Sequence, residues 1–252
     1  LETWGRRALA RRRFFVDELV ERRAVVRGER AHHLCRVLRV QPGQVFELAY
    51  NGRLYLGRVT AARPSAVEFA AEEELASRTA LPEITMLAAI FKYDRMEWML
   101  EKATELGVAK IVPVIAARTQ PSLARAAAKR VERWRRIVGE AAQQSRRIEP
   151  PAIPGPLPFK DALALAAGRR LMLDEASRRA WPAVPDAGTW PLLVGPEGGW
   201  TDSERSLAGA SGFSLVSMGP LILRAETAAI AALGALMLTR SADDQIAEGD
   251  RG

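Results

Sequence analysis

The sequence has little with which to bind a metal or close a disulfide: its 252 residues include one cysteine, Cys35, and two histidines, His32 and His33. A lone thiol excludes an intramolecular disulfide, and nothing points to an oxidising compartment. The three possible ligands are clustered, yet tetrahedral zinc takes four, usually from separated pairs, and adjacent histidines on a helix diverge in direction. No metal is expected. No apolar run approaches the roughly 20 residues that span a bilayer, and residues 1–13 lack the apolar core of a signal peptide. The chain reads as cytoplasmic, with no membrane partner.

Positive charge, by contrast, is plentiful. Lys and Arg number 37 against 30 Asp and Glu, a formal charge of +7, and most of the excess is arginine. Arginine forks suit phosphates and stacked bases, so an anionic partner such as nucleic acid is expected. The length allows one large domain or a small one joined to a medium one.

Along the chain, residues 1–12 form a basic arm with too little apolar content to fold alone. Residues 13–74 alternate short apolar runs with turn residues. The clearest element is Val45–Tyr50, then Asn51-Gly52, then residues 54–60, because both turn residues tolerate the positive φ of a type I′ hairpin. Residues 66–70 supply another strand, and residues 29–38 a short helix expected to turn His33 and Val37 inward. An acidic, then polar stretch ending at Pro82 marks a linker, residues 75–83. From residue 84 to 240 the pattern changes. Residues 84–90 and 111–115 are continuous apolar runs of strand length around a helix that Gly107 stops, which makes a βαβ unit of buried parallel strands. A longer helix at residues 123–145 carries Arg133 and Arg136 on a basic outer face. Strands at 171–173, 192–194 and 213–218 complete an open α/β sheet with helices on both faces. Residues 241–252 read as a tail.

In such sheets ligands bind beyond the carboxyl ends of the strands. After Val194 comes Gly195-Pro196-Glu197-Gly198-Gly199, then Thr201 to Glu204 in a capping-box pattern that opens a helix. The loop has neither the Gly-Lys-Ser/Thr of a Walker motif nor Gly-x-Gly-x-x-Gly spacing, so phosphate is not the obvious ligand. After Met218 comes Gly219, Pro220, Leu221, Ile222, Leu223 and Arg224, leading into a helix apolar on all sides. Such a helix needs a partner subunit, and the loop's apolar residues need something to line, for which an adenine ring or a thioether would serve.

Three stretches, Gly195 through Gly199, Leu223-Arg-Ala-Glu-Thr-Ala228, and Phe91-Lys-Tyr-Asp-Arg-Met-Glu-Trp-Met-Leu-Glu-Lys-Ala-Thr-Glu-Leu-Gly-Val108, together resemble the RsmE family of SPOUT methyltransferases. Arg13-Phe-Phe-Val16, His33-Leu-Cys-Arg-Val-Leu-Arg39 and Pro42-Gly43 resemble that family's PUA-like RNA-binding domain. Ala117 departs from a common glutamate; Arg118-Thr119 and the run Glu140-Ala-Ala-Gln-Gln-Ser-Arg-Arg147 fit. The resemblance implies an N-terminal PUA-like β-barrel, a C-terminal α/β domain with a deep trefoil knot, and a homodimer whose subunits complete the site. It further implies methylation of a uridine N3 in 16S ribosomal RNA of the small subunit. The implied cofactor is S-adenosylmethionine, held by Leu173, Val194, Gly195, Pro196, Glu197, Gly198, Gly199, Met218, Gly219, Leu221, Ile222, Leu223 and Thr227.

Uridine N3 must lose its proton before it can attack, and arginines near O2 or O4 could stabilise the resulting charge. Arg224 is the first candidate because it follows the cofactor loop, with Arg118, Gln144 and Arg147 next. Arg13, Arg36, Arg39, Arg133 and Arg136 are the candidate RNA contacts. Two alternatives stay open. One is a SPOUT enzyme acting on a ribose 2′-hydroxyl, and the other a non-catalytic RNA-binding protein of ribosome assembly.

Overall fold

The computed structural model describes residues 12–76, 83–182 and 188–249, with side chains through Met237. Residues 1–11 of the expected arm, 77–82 of the linker and 250–252 of the tail lie outside the described residues. The chain divides into two units, Leu1–Thr79 with Ala142–Pro150, and Ala80–Ala141 with Pro151–Gly252.

The first unit contains β1 (Arg13–Phe15), β2 (Glu18–Val20), β3 (Arg23–Arg27), α1 (Gly28–Arg36), β4 (Val45–Tyr50), β5 (Arg53–Arg63) and β6 (Ala66–Leu75). The strands form one ladder in the order β1-β4-β5-β6-β3-β2, antiparallel except for β1 with β4. The β4–β5 turn is the hairpin that Asn51 and Gly52 predict, with φ of 46° and 72°. Consecutive amides then bring the ladder's two sides together: Val16 N–H donates to Ala49 of β4 and Asp17 N–H to Val25 of β3. A flat sheet would hold those two strands three strand spacings apart, so the ladder curls into a barrel around Phe14, Val26, Leu34, Leu48, Val67 and Phe69.

Two local expectations change here. In α1 the inward residues are Ala31 and Leu34, while His33 is exposed and Val37, the C-cap, is 64% exposed. The helix starts one residue earlier than expected and its apolar stripe follows the 31/34 spacing. Strand β6 runs five residues past its expected end, through the acidic run, because those carboxylates pair across the strand, Glu72 with Arg58 at 2.6 Å and Glu74 with Arg53 at 3.6 Å.

The second unit contains β7 (Glu83–Ala89), α2 (Tyr93–Glu105), β8 (Lys110–Ile115), α3 (Pro121–Gln144, of which residues 142–144 fall in the first unit), β9 (Leu157–Pro158), α4 (Phe159–Ala164), β10 (Leu171–Leu173), β11 (Thr189–Val194), α5 (Asp202–Ala210), β12 (Ser214–Val216) and α6 (Ala225–Gly249). Its sheet is all parallel, in the order β12-β10-β11-β7-β8-β9. Strand β10 lies between β11 and β12, so the chain leaving β11 reaches β12 on the far side of β10. Apolar runs are continuous because alternate residues enter different cores. Met86 and Ala88 of β7 meet α2, α3 and α6 around Trp134 and Leu233, whereas Leu87 and Ala89 meet α4 and α5 around Phe159 and Trp200. Fully burying one such side chain contributes about 1.5–3 kcal/mol. Helix α6 continues to Gly249 through the start of the expected tail. It buries Ala229, Ala232, Leu233 and Leu236 and leaves Thr227 and Ala231 exposed. Among the described residues, no helix is long and apolar enough to cross a membrane, and no group of His, Cys, Asp and Glu could hold a metal ion.

Candidate functional site

The carboxyl ends of β10, β11 and β12 converge on a cavity of about 470 Å³, within the usual range for small-molecule sites. Its wall includes Leu173, then Val194, Gly195, Pro196, Glu197, Gly198 and Gly199, then Met218, Gly219, Leu221, Ile222, Leu223 and Arg224. Of the expected cofactor contacts, Thr227 alone is outside the lining, exposed on α6.

Local chemistry explains why these loops hold their shape. Thr201 caps α5 with a complete capping box, its hydroxyl accepting from Glu204 N–H at 3.2 Å while the Glu204 carboxylate accepts from Thr201 N–H at 3.0 Å. The other oxygen of the buried Glu204 accepts from Ala117 N–H at 2.8 Å, which ties the loop after β8 to this helix start. From that loop Arg118 donates to the Gly198 carbonyl at 2.7 Å. Trp200, fully buried, donates its indole N–H to the Leu173 carbonyl at 2.9 Å and thereby joins the loop after β11 to the end of β10. Gly199 adopts φ of 68°, and a Cβ there would stand 2.7 Å from Glu175 Oε1. The loop therefore needs glycine for its conformation, while the Glu175 carboxylate, at the end of a half-exposed side chain, can shift aside.

Beyond β10, the buried Asp174 receives two hydrogen bonds from Arg205, at 2.9 and 3.1 Å. This bond raises the Arg205 guanidinium above its ordinary pKa. Asp174 thus fixes the segment that presents Glu175 to the cavity. Glu175 and Glu197 put negative charge at the rim, whereas Leu173, Val194 and residues 221–223 give an apolar wall. Arg95 and Arg224 line the same cavity, and Arg95 and Arg205 stand 3.3 and 3.7 Å from Glu197 and Glu175, so the charge is mixed and the apolar wall suits a flat heteroaromatic ligand.

The remaining expected residues are placed as follows. Arg224 is exposed on the lining and opens α6, its carbonyl accepting from Ala228 N–H at 2.8 Å. Gln144 and Arg147 belong to the first unit; Gln144 is exposed, and burial lowers the Arg147 pKa against the opposing pull of Glu149. Arg36 and Arg39 are exposed on and after α1. Arg13 is committed internally: it grips Glu47 at 2.8 and 3.0 Å and donates to the Arg146 carbonyl, and Arg146 holds the same carboxylate at 3.0 Å. Arg133 pairs with Glu97 through two bonds of 2.7 Å, while Arg136 is exposed.

The residue pattern alone does not point to Arg95, Asp174, Glu175 or the second bond of Glu204. Asp174 and Glu175 were within reach, since they directly follow a strand end in the zone where ligands bind. Arg95 and Ala117 lie far in sequence from their partners and leave no local signal.

Residues 78–237 match the family model described as an RNA methyltransferase domain, and residues 26–71 that of an RNA methyltransferase PUA domain. The chain is 35% identical over 229 residues to ribosomal RNA small subunit methyltransferase E of Synechocystis, covering 86% of this chain and 73% of that protein. With the Aquifex aeolicus protein of the same name it shares 30% identity, over 89% of this chain and 98% of the relative. The crystal structure of a ribosomal RNA small subunit methyltransferase E from Neisseria gonorrhoeae, bound to S-adenosyl methionine, superposes with a TM-score of 0.80 at 31% identity, covering 90% of this chain and 96% of that one.

Proposed function

The chain belongs to the ribosomal RNA small subunit methyltransferase E family, and from that premise we propose that it methylates N3 of one uridine in 16S ribosomal RNA, with S-adenosylmethionine as methyl donor. The observation that carries the reading is the cavity where the two glycine-bearing loops meet beyond the parallel strands, with Arg224 on its lining. The residues present fit the cofactor. Leu173, Val194 and residues 221–223 would border the adenine, and Glu175 and Glu197 would face the positive charge of the sulfonium and amino groups. When bound, the cofactor supplies an electrophilic methyl group.

The protein's own part is positioning and charge stabilisation. Holding two reactants in line can remove several kcal/mol from a barrier. Arg224, with Arg118, would donate to a uracil carbonyl oxygen and favour the deprotonated ring. Arg36, Arg39 and Arg136 are exposed and available to phosphates, whereas Arg13 and Arg133 already hold carboxylates. Gln144 and Arg147 are retained as candidate substrate contacts, the cytoplasm as the compartment, and the knot and homodimer as parts of the same reading.

The test is incubation with labelled cofactor and small ribosomal subunits that lack the modification, followed by mass spectrometry of the nucleosides. Labelled 3-methyluridine is expected. Label on a ribose 2′-oxygen would support the other SPOUT chemistry, and RNA retention without label a non-catalytic role.

A further inference from the structure

We propose that Arg95 is a positioning residue that joins the two cofactor loops and so couples cofactor binding to the placement of Arg224; this rests on the methyltransferase reading above. Arg95 lies in the first turn of α2, an element that belongs to neither loop, and its side chain reaches the cavity wall. There it meets one carboxylate from each loop. Its Nη1 donates to Glu197 Oε1 at 3.3 Å, and its Nε stands 3.8 Å from Glu226 Oε1. Glu197 is the middle residue of the first loop. Glu226 follows Arg224 by two positions, at the start of α6, where the second loop ends.

The two carboxylates are not equivalent. The Glu197 side chain is 30% exposed and keeps water as a partner, while that of Glu226 is 11% exposed and its Oε2 is buried without a hydrogen-bond partner. A buried carboxylate depends on whatever positive charge is nearest, and at 3.8 Å Arg95 offers a charge contact but no hydrogen bond. A guanidinium has five N–H donors in a rigid fork and can serve both acceptors at once. A lysine ammonium, as a single point, cannot bridge them in the same way. Because Arg224 O accepts the first hydrogen bond of α6, fixing Glu226 also fixes the backbone from which Arg224 projects. A change in the first loop is thus felt at Arg224 through Glu197, Arg95 and Glu226. A plain surface salt bridge would predict no such link, since exposed pairs of this kind contribute little.

The test is a double-mutant cycle on the full-length protein, read by calorimetric S-adenosylmethionine affinity and by kcat, with melting temperature as the control for folding. Arg95→Ala and Glu226→Gln are each expected to weaken cofactor binding about tenfold, because each breaks the charge link between the two loops. The double variant should be no weaker than either single one, because both remove the same link. Arg95→Lys should restore the melting temperature but less than half of the lost affinity. Effects that multiply in the double variant, or Arg95→Ala with wild-type affinity and kcat, would overturn the inference. If Arg95→Ala does not fold, Glu226→Gln, which lies off the cavity lining, takes its place: reduced affinity together with reduced kcat supports the link, and wild-type affinity or wild-type kcat refutes it. Failure of the wild-type protein to bind the cofactor would sink the methyltransferase reading itself, a result distinct from a binding protein that is indifferent to Arg95.

Discussion

Gly199 and Gly198 are neighbours in one loop, yet their environments predict opposite outcomes. At Gly199 a side chain meets both a left-handed backbone, which costs about 1–2 kcal/mol for a residue with Cβ, and the Glu175 carboxylate 2.7 Å away. At Gly198 the added atom would touch the Arg118 stem at 3.5 Å, an ordinary contact, with no positive φ. Gly199→Ala should therefore lower both the melting temperature and S-adenosylmethionine affinity, while Gly198→Ala leaves both near wild type. Equal losses at the two positions in calorimetry would mean that the glycine requirement does not arise from conformation. Arg224 makes a different case. Its side chain forms no ion pair among the described residues, so removing it should leave the fold intact. Arg224→Ala is expected to reduce kcat about 10²–10³-fold, as loss of a charge-stabilising donor does elsewhere, with little change in cofactor or RNA affinity. Parallel losses in rate and in RNA retention on filters would reduce Arg224 to a phosphate contact.

Among the elements, α5 shows where a sequence stops being readable. Its capping box was legible because Thr201 and Glu204 are three residues apart; the bond from Ala117 to the same carboxylate spans 87 positions and leaves no pattern. Thr201→Ala should cost about 1 kcal/mol, the usual loss of a helix cap. Glu204→Ala should cost about 1.5–3 kcal/mol more, because the hydrogen bond from Ala117 N–H to a charged, buried carboxylate is lost. Urea denaturation at constant m value would measure both, and equal midpoints would show that the Ala117 bond contributes nothing. Strand β11 was misjudged for another physical reason. It begins at Thr189 and includes Pro191, a residue expected at strand ends and edges: Pro191 pairs with Thr85 of β7 alone, and the pairing with β10 starts at Leu192. Helix α3 was legible in its extent but not in the availability of its charges. Arg133 is held by two bonds to Glu97 and Arg130 lies 4.6 Å over the Tyr93 ring, whereas Arg136 is exposed. Arg136→Ala should thus weaken RNA binding and flatten its salt slope by about 0.7–0.9, and more so than Arg133→Ala. The reverse order in salt-titrated binding would mean that Glu97 yields Arg133 to the RNA.

For the whole molecule, the parallel sheet and both site loops follow from periodicity and turn chemistry and the barrel from the resemblance of the N-terminal motifs, while the expectation of a second copy arises from what one chain leaves uncovered. A helix as apolar as α6 buries only one side within its own subunit, with Thr227 and Ala231 outward. The second unit also exposes Trp98 at 46%, Leu221 at 76% and Ile222 at 88%, and the last two sit on the cofactor loop. Large apolar side chains so open to water on a functional loop call for a cover, and a symmetric pair of subunits is the commonest way to provide one. The protein is therefore expected to sediment as a dimer, and Ala231→Arg, which places a charge on the open side of α6 without touching its buried side, should shift it toward monomer. If the partner covers residues 221 and 222, the monomeric variant should also lose cofactor affinity, because the apolar wall would then be half solvated. A monomer with undiminished affinity would show that one chain holds the complete cofactor site, and that dimerisation serves the RNA alone.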